Sequence, residues 1–451
     1  MVTLTFYGGV AEIGGNKILL EDRDARVWLD MGATFGLGEE FFAEYLAPRE
    51  RFGLRDYFAL DLVPRIEGLY SMDALERTDL AWREPTFSGI FVTHVHYDHT
   101  NHLRFVDGSL PVHLGEGTKI LLDSWMTTAR SPAMKVKDHD WRTFRTGRTI
   151  DADGVEVEPI HVDHSAPAAY AYLVHTSEGT IAYTGDLRRH GPQGRLTDEF
   201  IEAARKAKPI ALITEGTRVS PADPRHNLSE AEVRARSVET VRAATGKLPV
   251  VTFYPRDVDR IRTFAEVAKE AGRRFVVNTK TAHLLWALKR DTRIAVPDIE
   301  RDADVLVYDR GLDRTDAWER EVHALVGDRL VDAAYVRGHP GELVLQLDFT
   351  HLAELIDIQP PKGSPFIHSK SEPFEEDDIT DEVLTNWLER FGLVRHQFHA
   401  SGHLSEAEVR DMIETIAPKR VFPVHTEHPE RFASFSKSVV EPERFRAMSL
   451  D

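Results

Sequence analysis

The chain has 451 residues, an ordinary globular composition and a formal net charge of −18. It has no cysteine, which excludes disulfides, iron–sulfur clusters and thiolate zinc sites; any metal must be held by His, Asp and Glu, so the 21 histidines are the residues to follow. The acidic balance argues against a protein that coats nucleic acid non-specifically, because such binding neutralises phosphate with Lys and Arg, but it leaves room for a nuclease with a local positive site.

The opening, MVTLTFYGG, has no basic n-region, and no apolar run anywhere is long enough to span a bilayer, so a cytoplasmic protein without a membrane partner is expected. The first 190 residues read as short strands ending in turn residues: VTLTFYGG, VWLDMGA, GIFVTH, VEVEPIHV, AYAYLVHT and GTIAYTGD. Between the first two, AEIGGN lacks dinucleotide-loop spacing and a Walker Lys, and reads as a tight turn. No G-x-S-x-G occurs, which removes the usual serine-hydrolase elbow.

Within these strands, FVTHVHYDHTNH (91–102) holds four histidines and an aspartate. The alternation in GIFVTHVHYDH fits an extended strand end with His94 and His96 on one side, followed by Asp98 and His99 where the chain turns. Imidazoles and a carboxylate gathered in a small volume suit Zn²⁺ or Mn²⁺ when no thiolate is available. Downstream, His164 in HVDHSAP, Asp186 in YTGDL and His425 in FPVHTE each follow an apolar strand, where the loops of a packed sheet converge.

From about residue 197 the texture changes. Helical periods in TDEFIEAARKAK, LSEAEVRARSVETVRAATG and DVDRIRTFAEVAKEAGR alternate with buried strands PIALITEG and LPVVTFY, the pattern of an inserted parallel-sheet unit. YPRDVDRIRT (254–263) groups Arg256, Arg260 and Arg262, read either as a solvated helix face paired with nearby acids or as a local positive surface. The strongly acidic SEPFEEDDITDE (371–382) precedes helix EVLTNWLERFG, strand VRHQFHASGH, helix SEAEVRDMIETIA and strand RVFPVHTEH. The expected divisions are 1–218, 219–394 and 395–451.

Together, His94-Val-His96-Tyr-Asp98-His99, His164 and Gly185-Asp186 resemble the metallo-β-lactamase fold. TEGT (214–217), HASGH (399–403) and PVHTE (423–427) resemble the later motifs of its β-CASP branch, whose members process nucleic acid, and FYGGVAEIGGNKILLEDRDARVWLDMGA looks like the opening of ribonuclease J and its relatives. The resemblance covers nearly the whole chain and implies an α/β protein: a metallo-β-lactamase αββα sandwich whose first part is 1–218, an inserted β-CASP domain over 219–394, and a completing part over 395–451. The chain ends soon after PVHTE, so the C-terminal extension typical of bacterial ribonuclease J is expected to be missing.

By that resemblance, His94, His96 and His164 hold one Zn²⁺ and Asp98, His99 and His425 a second, with Asp186 bridging and Asp30 steadying the ligands from behind; Mn²⁺ is the other candidate metal. The family's pattern makes His403 the proton donor to the leaving 3′-oxygen, with Glu215 orienting it. His399, Ser401 and Gly402 are candidates for a phosphate cradle that receives a 5′-monophosphate. The implied activity is a metal-dependent ribonuclease acting on single-stranded RNA, exo- or endonucleolytic, leaving 5′-phosphate and 3′-hydroxyl ends; a homodimer fits the family. The alternatives are a DNA exonuclease of the same family, a lactonase or thioesterase on the same site, and a silent scaffold, the last opposed by intact ligand positions. Thr426 in PVHTE replaces the Gly usual in ribonuclease J and is expected to narrow the neighbouring pocket.

Overall fold

The computed structural model describes residues 1–43, 45–221, 228–311, 314–372 and 379–450; residues 373–378 of the acidic stretch lie outside the described residues. Three sheets organise the chain. In the first, Ala447–Ser449, Val2–Gly8, Lys17–Asp22 and Ala25–Leu29 pair antiparallel, and Gly89–Phe91, Pro111–Gly115 and Asp140–Phe144 continue the sheet in parallel. The second runs, in spatial order, Val421–Val424, Ala211–Glu215, Gly179–Tyr183, Ala169–Thr176, Val155–Val162 and Ile150–Ala152.

The period of two in these strands explains their stacking. Val2, Leu4, Phe6, Ile18, Leu20, Val27 and Leu29 point to one side and share a core with Tyr172, Val174, Ile181, Tyr183, Ile213 and Phe422 of the second sheet. Leu19 and Trp28, from the same strands, point the other way into the core that receives Leu121 and Leu122 of helix Glu116–Thr128. Behind the second sheet, helices Gly194–Ala207 and Glu406–Ile416 bury Phe200, Ile201, Met412 and Ile413 against Leu173 and Leu212. The result is the expected αββα sandwich.

The third sheet is wholly parallel, in the order Leu330–Val331, Val305–Tyr308, Arg274–Asn278, Leu343–Gln346, Val250–Thr252, Pro365–His368, Val394–Gln397. Its strands are almost continuously apolar, as a sheet covered on both faces requires. Helices with clear start signals cover it: Glu230–Ala243 begins with a capping box of Ser229 and Glu232, and Val258–Glu270 with the Asp257 side chain accepting from the Arg260 N–H.

Connectivity positions the site. The chain leaves the second sheet along Ala211–Glu215, builds the third sheet, and returns along Val421–Val424, parallel to the strand it left, with Glu215 paired to Val424. The last strand of the third sheet, Val394–Gln397, runs straight into HASGH. Among the described residues no helix is long and apolar enough to cross a membrane.

Of the arginines of 254–263, Arg262 fits a solvated face, partly exposed and paired with Asp259, whereas Arg260 fits neither of the two readings. Arg260 is fully buried, paired with Glu230 at 3.0 Å and donating to the backbone carbonyls of Ser369 at 2.9 Å and Ala400 at 3.3 Å. The apolar period there places Arg260 under the loop that precedes His403, where two carbonyls and a carboxylate satisfy the guanidinium better than water would reach it.

Candidate metal centre

The strand Gly89–Phe91 is short, and His94 and His96 stand in the loop after it rather than on the strand as the alternation suggested. Asp30 holds that loop in place. It follows the neighbouring strand Ala25–Leu29, which pairs Leu29 with Phe91, so both chains leave the same sheet edge together. The Asp30 carboxylate, fully buried, accepts from Thr93 N–H at 2.7 Å, Thr93 Oγ1 at 2.9 Å and Tyr183 OH at 2.6 Å, and faces His99 Nδ1 at 2.8 Å. Its backbone has φ of 59°, a strained value for a non-glycine residue, held by its own N–H to the Phe91 carbonyl at 2.9 Å and by these four donors.

Two sets of donors converge beside it. His94, His96, His164 and Asp186 form one, Asp98, His99, Asp186 and His425 the other, the ligand atoms of each set lying within 4.8 Å of one another. In the first, His96 Nδ1 is 2.9 Å from His94 Nε2 and 3.1 Å from His164 Nε2. His164 Nδ1 lies 2.6 Å from the Gly402 carbonyl, which can only accept, so the proton sits on Nδ1 and Nε2 presents a lone pair. Burial lowers His94 and His96 well below the ordinary imidazole range and takes His164 to about 4, which keeps these three imidazoles neutral.

In the second set, His425 Nε2 is 2.8 Å from Asp98 and 3.7 Å from Asp186, and His99 Nε2 is 3.3 Å from Asp186. Burial works against charge here too, yet His425 is raised to about 9 by Asp186 and Asp98, and His99 is raised by Asp186, Asp30 and Asp98. Burial opposes ionisation of Asp98 as well, but His99 and His425 outweigh it and hold the carboxyl down at about 2.

A divalent cation fits both sets. Ligand bonds of about 2.0–2.1 Å in a tetrahedron give ligand–ligand edges of roughly 3.4 Å, and the separations here fall on either side of that. Two buried atoms aimed at the centre, His99 Nε2 and Asp186 Oδ1, have no hydrogen-bond partner, a costly state that a cation removes.

Next to this cage, His403 Nδ1 is 3.0 and 3.1 Å from the two oxygens of Glu215 and 3.9 Å from Asp186. Burial favours a neutral Glu215, but the neighbouring His403 lowers its carboxyl. Ser401 Oγ accepts from the His403 N–H at 3.1 Å, and His399 Nδ1 is 3.3 Å from the Ser369 carbonyl, so both hold the HASGH loop together. Gly402 acts through its carbonyl on His164; a Cβ there would come within 2.9 Å of His164 Cε1.

Comparison with known proteins fits this geometry. Residues 71–250 match the Beta-lactamase superfamily domain and residues 393–439 the Zn-dependent metallo-hydrolase RNA specificity domain. The chain is 27% identical over 365 residues to Ribonuclease J of Sinorhizobium meliloti, covering 77% of this chain and 59% of that protein. It is 25% identical over 438 residues to Ribonuclease J of Mycolicibacterium smegmatis (94% and 68%), and 22% identical over 442 residues to Ribonuclease J 2 of Streptococcus pyogenes serotype M3 (95% and 70%). These matches support the ribonuclease J-like, β-CASP branch of the metallo-β-lactamase superfamily as the family of this chain. It spans 59% to 70% of the length of these curated relatives. In fold it matches a crystal structure of a protein of unknown function from Enterococcus faecalis V583, with TM-score 0.78, 22% identity and 99% of each chain covered.

Several residues that build this β-CASP site carry no signal in spacing. Thr93 Oγ1 bonds Asp30 and stands 3.0 Å from His94 Nδ1. The Thr217 hydroxyl donates to Glu215 at 2.6 Å and lies 2.8 Å from His425 Nδ1, joining the two motifs. The glycines of AEIGGN do more than turn the chain: Gly14 has φ of 84°, and a Cβ there would stand 2.8 Å from that of Asp98. Gly32 packs so closely on the Asp98 carbonyl that a Cβ would overlap it at 1.6 Å.

Proposed function

We propose that this chain is a metal-dependent ribonuclease that hydrolyses phosphodiesters of single-stranded RNA, leaving 5′-phosphate and 3′-hydroxyl ends. The observation that carries the reading is the double cage of buried His and Asp side chains with unpartnered atoms at its centre, in a chain that matches an RNA specificity domain. His94, His96 and His164 would hold one Zn²⁺ and Asp98, His99 and His425 a second, with Asp186, common to both donor sets, within reach of each. Mn²⁺ suits the same His and Asp donors. A cation pair in such a cage supplies Lewis acidity toward a phosphoryl oxygen and lowers the pKa of water toward neutrality.

The chain's own groups do the rest. Asp30 fixes the His99 ring through Nδ1, and the Gly402 carbonyl fixes His164 in the same way. Glu215 holds His403 by Nδ1, which leaves Nε2 to deliver a proton to the departing 3′-oxygen. Asp186, Glu215 and His403 also lie close enough to hold an ion themselves, so the donor role of His403 rests on metal being retained when it is removed. His399, Ser401 and Gly402 line the loop we assign to a substrate 5′-monophosphate. The division 1–218, 219–394 and 395–451 is ours; the strand that leaves at Glu215 and the one that returns at Val421 support an insertion, and strand Val394–Gln397 of the third sheet straddles the second boundary. A cytoplasmic homodimer is the form we expect. The RNA-specificity match weighs against a DNA exonuclease, a lactonase or a thioesterase.

Product analysis on 5′-monophosphate and 5′-hydroxyl RNA of one sequence, with Zn²⁺ or Mn²⁺ restored, tests this reading. Metal-dependent release of 5′-phosphorylated products, faster from the 5′-monophosphate, is expected. Cleavage of neither RNA by metal-loaded protein would overturn it.

A further inference from the structure

Beside the metal loop, a cavity of about 240 Å³ opens between helix Glu116–Thr128 of the sandwich and loops of the third sheet. Its walls include Trp125, Arg256, Lys280, Asp348, His351 and Lys370. Arg256 ties it to the cage: its Nη1 donates to the Val95 carbonyl at 2.9 Å, between His94 and His96, while its guanidinium lies 4.2 Å over the Trp125 ring. Three cations therefore face one crevice with a single carboxylate among them.

One oxygen of that carboxylate is engaged, while its Oδ1 is buried without a hydrogen-bond partner. Asn278 Nδ2 donates to Asp348 Oδ2 at 2.8 Å, and burial pushes the Asp348 carboxyl up while Lys370 and Lys280 pull it down. Neither lysine has a carboxylate within ion-pair distance among the described residues; the contact of Lys370 is with the Tyr254 ring, 5.6 Å away. Burial lowers both lysines, and Arg130 and Arg310 press Lys280 down further. The same two arginines and Lys280, after burial itself, take His351 to about 4. Lys280 is exposed and Lys370 half-buried, so in a chain of net charge −18 this is a concave, solvent-accessible excess of positive charge that suits an anion.

We propose, given an RNA-cleaving cage, that this cavity is a phosphate subsite for the substrate strand away from the scissile bond, with Lys280 and Lys370 contacting the backbone phosphate. Arg256, through Val95, sets the position of that phosphate relative to the cage. A polynucleotide is the favoured occupant because the cavity adjoins the loop that carries two cage histidines, so a strand held at the cage reaches it within the same molecule.

The test is binding of a fluorescent oligouridylate of about twelve nucleotides to the metal-free protein, followed by anisotropy across a series of salt concentrations. In the Lys280→Gln/Lys370→Gln variant the slope of log affinity against log salt should shrink by about 1.4, roughly 0.7 for each single-strand phosphate no longer neutralised, and low-salt affinity should fall about tenfold or more. Lys280→Arg/Lys370→Arg should keep most of the slope, and equal melting temperatures for the three proteins exclude misfolding as the cause. Equal slopes in the Gln variant and the parent overturn the subsite. So does stabilisation of the parent, but not the Gln variant, by inorganic phosphate with the oligonucleotide slope unchanged, which marks a small-anion site. RNA cleavage by the metal-loaded parent with equal slopes removes the subsite alone; a parent that neither binds nor cleaves any polynucleotide removes the ribonuclease reading as well.

Discussion

Asp30→Asn isolates the step by which the fold keeps a cage histidine in the right tautomer. Thr93 N–H, Thr93 Oγ1, Tyr183 OH and His99 Nδ1 all converge on the carboxylate at 2.6 to 2.9 Å. A carboxylate accepts all four; Asn offers one oxygen and sets an NH₂ against the remaining donors. With the oxygen kept on Thr93, the amide faces Tyr183, whose hydroxyl can turn and accept, and His99. The His99 ring can accept only by moving its proton to Nε2, the atom 3.3 Å from Asp186 and 3.7 Å from Asp98, where a lone pair is needed. Removing two charge-assisted bonds at about 1.5–3 kcal/mol each costs roughly 3–6 kcal/mol, divided between folding and metal binding. Zn²⁺ affinity, read by competition with a chromophoric chelator, should fall about 10–100-fold, and urea unfolding of the metal-free variant should account for the remainder. Parent-like values in both measurements would refute the tautomer argument.

Asp186→Ala should abolish cleavage and lower bound metal, since Asp186 belongs to both donor sets; metal analysis beside an RNA assay checks it, and near-parent activity removes the bridging role. His403→Ala should lose about 10²–10⁴-fold in rate while retaining metal, and loss of metal would make His403 a ligand instead. Gly402→Ala sets a Cβ 2.9 Å from His164 Cε1 and 3.1 Å from Ser165 Oγ, so metal affinity should drop with little change in thermal stability. Asp257 is raised by burial to about 6, with Arg260 opposing and Glu230 adding to the shift. A raised folded pKa means the native state takes up its proton first, so the Asp257 contribution to unfolding free energy should decline as pH rises from about 4 to 6, by about 3 kcal/mol, against the rise contributed by buried histidines such as His164 and His351, held at about 4. Asp257→Asn keeps the cap on the Arg260 N–H and should remove that contribution, so the stability of the variant relative to the parent should rise by most of that amount between urea unfolding at pH 4.5 and at pH 7; an unchanged difference would assign the shift to another group.

The His and Asp cluster was legible because metal chemistry permits few side chains, and a chain without cysteine narrows the choice to His and Asp at strand ends. His94, His96, Asp98, His99, His164, Asp186 and His425 meet as the sequence suggested. The supports were not legible. Thr93, Tyr183 and Thr217 are ordinary strand or turn residues by pattern, and only the folded chain aims their hydroxyls at Asp30 and Glu215. Helix Glu116–Thr128 was missed, and so were the strands Arg274–Asn278, Val305–Tyr308 and Leu343–Gln346, whose runs of four or five residues between helices carry too short a period to separate from helix ends.

Arg260 and Arg188 show what the inserted sheet does for the cage. Arg188, two residues after Asp186, is fully buried and reaches Asp163 at 3.3 Å, Glu230 at 3.0 Å, Asp259 at 2.6 Å and the Ser401 carbonyl at 3.4 Å. Arg260 shares Glu230 and holds the Ala400 and Ser369 carbonyls. Taking these charges out of water is costly, and their mutual attraction offsets that cost only when every partner is present, so the network adds little net stability. It does discriminate between dockings: an insert shifted by a few ångströms leaves buried charges bare. The register that satisfies both arginines is the one that sets Gly402 against His164 and His403 against Glu215. The inserted sheet is thus part of the frame that aims the cage, and removing one arginine partner should disturb His164 before it unfolds the protein.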